Sequence, residues 1–272
     1  MIRPRLKPPY LKSKRPPRRQ IVTMVVGFEC RDGIVIAADR QVTGANYTFP
    51  ECKLASLYWK NGHGIFGYSG DRDIYHDFLK EIHARIKPDT VLSSEAVRAN
   101  LRDTLKALAL KREAFLTLFG FGLDNKPFQL LLSTTKMRVV DVRGCEVIGY
   151  ADSPLARFLL GRLKGVPHFI SVNQARIYAV YFISQVKKYD GKYVGDGIDV
   201  YSVDHSGDAG RRCVRILDAG QTGAWEKEVN LIHYWMDVLF SKATDKDSAV
   251  SLEQFMERLK SFRIWVGGEP LK

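Results

Sequence analysis

The sequence predicts an α+β fold of one large domain, and three observations point there. Short strand-like runs open the chain, amphipathic helical runs follow, and the same order then repeats. The chain has 272 residues, 45% of them hydrophobic, enough to bury a core without metals or disulfides. Its four cysteines, Cys30, Cys52, Cys145 and Cys213, lie far apart, with no C-x-x-C pair for zinc or redox work and no dense disulfide framework.

The elements follow in order. Residues 1–20 contain eight basic side chains, no acidic one and five prolines, so no regular helix or sheet is expected there. The remaining 252 residues carry only +4 of the formal charge of +12, which argues against nucleic acid as a partner of the folded part. No run approaches the roughly 18 apolar residues of a membrane span, and no secretory signal is evident, so a soluble cytoplasmic protein is expected.

Strands are predicted at 23–30, 33–39, 53–59 and 64–69, with Asp32-Gly33 turning between the first two. These four strands read as one opening sheet. Ile74, Phe78, Ile82 and Ile86 then recur at helical spacing, as do Val97, Leu101, Leu105 and Leu108, giving two helices that would pack on it. Strands at 115–121, 128–133, 137–142 and 145–149 imply a second sheet, separated by Asp124-Asn125 and Arg143-Gly144. Asp152-Ser-Pro154 starts a helix running to Leu163, and Ser171 caps another that runs to about Lys188. Strands at 197–204 and 212–217 and helices near 225–241 and 251–262 complete the chain. Two face-to-face sheets with outer helices fit this order, and other α+β arrangements fit it too.

Thr23 opens the first strand and stands sixteen positions before Asp39, in Thr23-Met-Val-Val-Gly27-Phe-Glu-Cys-Arg-Asp-Gly33-Ile-Val-Ile-Ala-Ala-Asp39. A hairpin at Gly33 brings the ends of these strands together, and Glu51-Cys-Lys53-Leu leads into the next strand. Taken singly, such a threonine is an ordinary strand residue. Taken together and in order, Thr23, Gly27, Gly33, Ala37-Ala38-Asp39, Lys53 and Ser69-Gly70 resemble the start of proteasome β-type subunits and their bacterial relatives, within the N-terminal nucleophile hydrolases.

That resemblance implies a four-layer αββα sandwich and a threonine peptidase. Thr23, once the first residue of the mature chain, would be both nucleophile and, through its α-amine, base. Such an amine has a pKa of about 7.7–8.0, whereas a lysine near 10.4 stays charged at neutral pH. Lys53 would stabilise the forming alkoxide, Asp39 would orient Lys53, and a backbone amide of Ser69 or Gly70 would hold the oxyanion. Arg40 either lines the same pocket or is a solvated charge. The resemblance also implies peptides or unfolded proteins as substrate, a homo-oligomeric ring or helical stack compatible with an unfoldase partner, and no cofactor.

Three departures accompany it. Lys53 lies about two positions nearer the threonine than the family lysine does. Tyr150 stands where a serine is expected, with Ser153 close by, while Asp190 and Asp196 are the nearest carboxylates of the second loop and Val194 holds its serine position. Val22 replaces the glycine after which such subunits cut themselves. Residues 1–22 therefore read as a tail, a propeptide, or a mis-assigned start in which a GTG codon at Val22 initiates the chain. A non-catalytic subunit, with Thr23 inside an uncut chain, is the alternative function.

Other motifs fail. Gly67-Tyr-Ser69-Gly70 lacks the second glycine of a G-x-S-x-G elbow, since residue 71 is aspartate. The histidines form no H-E-x-x-H, and Gly195-Asp-Gly197 is too short to cradle a phosphate.

Overall fold

A computed structural model of the protein describes residues 23–43, 48–108, 115–134, 138–150, 153–163, 170–190, 194–195, 197–205, 213–241 and 257. The tail over 1–22, the helix expected near 251–262 (Glu257 apart) and Asp196 lie outside the described residues, as does the Asp190 side chain. The protein is a mixed α and β structure with five helices and antiparallel sheets among the described residues.

The first hairpin is β1 (Met24–Cys30) and β2 (Gly33–Asp39), both buried at every position. A strand covered on both faces needs no polar alternation, and this explains the run of Val, Ile and Ala. Two short strands, β3 (Gln41–Thr43) and β4 (Thr48–Pro50), pair with each other and, among the described residues, with no other strand. Then come β5 (Leu54–Trp59), β6 (Gly62–Gly70), α1 (Arg72–Arg85), α2 (Ser94–Leu108), β7 (Phe115–Leu123), β8 (Gln129–Ser133), β9 (Val139–Val142) and β10 (Cys145–Gly149). The chain continues through α3 (Pro154–Leu163), α4 (Val172–Asp190), β11 (Ile198–Asp204), β12 (Cys213–Leu217) and α5 (Ala219–Ser241). Of the two expected helix starts, Ser171 holds, its Oγ accepting from the Gln174 amide at the start of α4, while Asp152 lies outside the described residues; α1 is capped by Asp71, which accepts from the amides of Asp73 and Ile74.

The partition of strands differs from expectation. The four opening strands do not form one sheet. One sheet runs β10-β1-β2-β11-β12 and the other β5-β6-β7-β8-β9. The chain leaves the first sheet at Asp39 and enters the second at Leu54, with the β3–β4 hairpin between. Hairpin pairing is local and legible, but the choice of sheet depends on which faces meet, and that is a long-range matter.

Three apolar clusters hold these parts together. Met24, Val26, Phe28, Val35 and Ala37 pack with α4 residues such as Ala179, Phe182 and Ile183. Phe66, Tyr68, Phe119 and Phe121 pack with Ile74, Phe78, Leu101 and Leu105 of α1 and α2, so these helices cover the second sheet. Between them, Val25, Ile34, Ile36 and Ala38 meet Leu54, Ile65, Leu118 and Leu130. At roughly 1.5–3 kcal/mol for each fully buried large side chain, this middle cluster is what holds Asp39 and Lys53 in fixed relation.

Candidate active site

Asp39 ends β2 and Lys53 directly precedes β5, and both side chains are fully buried. Lys53 Nζ donates to Asp39 Oδ1 at 2.9 Å and to the carbonyl oxygen of Gln41 at 2.5 Å. The same Oδ1 accepts from the amide of Met24 at 2.8 Å. Oδ2 accepts from the amides of Gln41 at 3.2 Å and Gly195 at 3.4 Å. A buried ion pair survives only when its remaining hydrogen-bonding positions are filled, and four donors converge here on one carboxylate. Burial pushes the Asp39 carboxyl above its ordinary value, while the Lys53 ammonium and the Met24 and Gly195 amides oppose that rise.

Thr23 is buried and sits one residue before the amide that binds Asp39. Its carbonyl accepts from the Tyr150 amide at 2.8 Å, which ties the residue to the end of β10. Gly149, in that same turn, has φ +85°; a Cβ there would stand 1.7 Å from the Thr23 carbonyl oxygen and 2.7 Å from Ser69 Oγ. Only glycine allows this approach. Ser69, itself buried, is thereby placed beside the Thr23 backbone, and Gly70 (φ +128°) closes β6 before Asp71 caps α1.

The structure thus joins Lys53 and Asp39 directly, and Thr23 and Ser69 through Gly149. The Arg40 side chain is 30% exposed and reaches Asp199. Tyr150 contributes its backbone at the first loop, and the buried Ser153 lies ahead of α3. Val194 is buried next to Gly195. Sequence reasoning missed Gln41, Gly149 and Gly195. Gln41 acts mainly through backbone atoms, which leave no side-chain signature, whereas Gly149 could have been suspected from a glycine ending a strand. Among the described residues no cluster of three or more His, Cys, Asp or Glu could hold a metal ion, and no helix is long and apolar enough to cross a membrane.

No model of a protein family matches the chain, and no curated protein matches it. Solved structures do. Anbu of Hyphomicrobium sp. strain MC1, as a Gly-1 mutant, superposes with a TM-score of 0.67 at 14% identity, covering 82% of this chain and 97% of that one. Anbu (ancestral beta-subunit) from Yersinia bercovieri gives 0.63 at 15% identity, covering 82% and 97%. The helical assembly of the Anbu complex from Pseudomonas aeruginosa gives 0.63 at 14%, covering 79% and 96%. The likeness is one of fold.

Proposed function

We propose that this chain is a proteasome-like threonine peptidase subunit of the four-layer αββα, N-terminal nucleophile type. The observation that carries the reading is the buried Lys53–Asp39 pair, bonded to the amide that follows Thr23. A scaffold gains little from it, since replacing such a pair by apolar residues is often neutral or stabilising.

In this reading Thr23 becomes the terminal residue, and its free amine takes the hydroxyl proton as Oγ attacks a peptide carbonyl. The positive charge of Lys53 lowers the energy of the alkoxide, and Asp39 holds that charge in place. The developing oxyanion accepts from a backbone amide at Ser69–Gly70. The protonated amine then delivers its proton to the leaving nitrogen, the C–N bond breaks, and an ester on Thr23 remains. Water, deprotonated by the same amine, cleaves the ester and restores the hydroxyl. No cofactor enters. The Anbu structures similar in fold include a helical assembly, which supports a homo-oligomer here too, as a stack or a ring.

The test is hydrolysis of a panel of fluorogenic peptides by the wild type, Thr23→Ala and Thr23→Ser. The reading expects turnover by the wild type, a residue of it in Thr23→Ser, and none in Thr23→Ala. Equal rates in all three would remove Thr23 from the chemistry. No turnover at all in a chain beginning at Thr23 would favour the non-catalytic subunit.

A further inference from the structure

A second carboxylate lies behind the pair. Asp199, on β11 opposite Ala38, is 2% exposed. The Cys52 thiol and the amide of Ala219, at the start of α5, favour its charged form, and Cys52 Sγ lies 3.7 Å from the hydroxyl of Tyr201 on the same strand. Arg40 Nε lies 3.7 Å from Asp199 Oδ2, and these two buried atoms have no hydrogen-bond partner among the described residues. Arg40 directly follows Asp39, and Cys52 directly precedes Lys53.

The chain positions adjacent to both members of the candidate catalytic pair therefore converge on one buried carboxylate. The Arg40 backbone is held as well, its amide donating to the carbonyls of Gly195 at 3.2 Å and Gly197 at 3.1 Å. Gly195 in turn donates to Asp39, and the Arg40 stem runs along Gly197 on its way to Asp199. We propose that Asp199 is a positioning residue for the Asp39–Lys53 pair, fixing through Arg40 and Cys52 where β2 and β5 deliver the two side chains. The proposal rests on the peptidase reading of that pair. Asp199 itself touches none of the reacting atoms.

A purely structural role, closing α5 onto β11 through the Ala219 amide, would also bury Asp199. The two roles differ in what charge does. The groups facing the carboxyl are Arg40 from the β2–β3 link, Cys52 ahead of β5, Tyr201 on its own strand and Asp218 ahead of α5. Arg40 is the cation among them. Burial holds the Asp199 carboxyl above its ordinary value, with Cys52, Arg40 and the Ala219 amide opposing, so it loses its charge early as pH falls. Arg40 is then released while the Ala219 contact need not break.

The experiment compares peptide hydrolysis against pH, and crystal structures, for the wild type, Asp199→Asn, Arg40→Met, Arg40→Lys and the double variant Arg40→Met/Asp199→Asn. Misplacement of reacting groups is expected to lower kcat about tenfold in Asp199→Asn and in Arg40→Met with KM unchanged. The double variant should be no worse than the poorer single one, Arg40→Lys should recover part of the loss, and the acid limb of kcat should become shallower in Asp199→Asn, where protonation of the Thr23 amine alone shapes it. Unchanged kcat and an unchanged acid limb would overturn the proposal. If Asp199→Asn fails to fold, the partly exposed Arg40→Met decides. If the wild type hydrolyses no peptide, the peptidase reading fails on its own. The crystal separation of Lys53 Nζ and Asp39 Oδ1 then decides, with 2.9 Å retained in both variants refuting the positioning role and loss of the contact supporting it.

Discussion

Lys53 Nζ lies 2.9 Å from Asp39 Oδ1 with both side chains withdrawn from solvent, although one precedes a strand of the second sheet and the other ends a strand of the first. The contact therefore reports on how the two sheets meet. Removing one partner leaves a charge buried without its counter-ion, so Lys53→Met should lower stability by about 3–5 kcal/mol. Lys53→Met/Asp39→Leu should regain only part of that loss, because the amides of Met24, Gln41 and Gly195 lose their acceptor, and should still hydrolyse nothing. Denaturant titration beside the peptide assay checks both halves.

Thr23→Ala removes a hydroxyl and a methyl group and leaves the backbone bond from Tyr150 to the Thr23 carbonyl intact. Stability should fall by no more than about 2.5 kcal/mol, the range for one hydrogen bond and one buried methyl group, while turnover falls to background. A thermal melt run beside the assay separates loss of chemistry from loss of fold.

Gly149→Ala should do the reverse, acting on the backbone that places Thr23. The substituted residue would have to leave φ +85° and move its Cβ away from the Thr23 carbonyl. The left-handed conformation alone costs about 1–2 kcal/mol, so the expected result is a destabilised protein with impaired turnover. A melting temperature equal to the wild type's would show that this turn relaxes freely.

Asp199 gives a pH signature in stability. Its carboxyl lies above the ordinary value in the folded protein, mainly through burial, so within the window between the two values the folded state binds the proton more tightly than the unfolded state does. The Asp199 contribution is then largest below the ordinary carboxylate value, declines as pH rises through the window, and is flat above it. Asp199→Asn should abolish that decline, read as the difference between the two proteins' stabilities from weakly acidic to neutral pH.

Much of the candidate site was legible because its side chains lie at short range in the sequence. Thr23, Gly33 and Asp39 sit on one hairpin, and Lys53 directly precedes the strand expected after it. The β3–β4 hairpin was missed because three-residue strands are too short to show a period. The sheet partition was missed because β5 and β6 look, in sequence, like continuations of β1 and β2. Gln41 and Gly195 act through amides and carbonyls, and Asp199 is an unremarkable aspartate in a strand until β11 is laid beside β2.

The central claim is that Thr23 becomes a chain terminus whose own amine activates its hydroxyl. The direct test is the intact mass of the protein purified from its native host. A mass corresponding to a chain that starts at Thr23 is the predicted result. A mass that retains residues ahead of Thr23 would leave the hydroxyl without its base and contradict the mechanism.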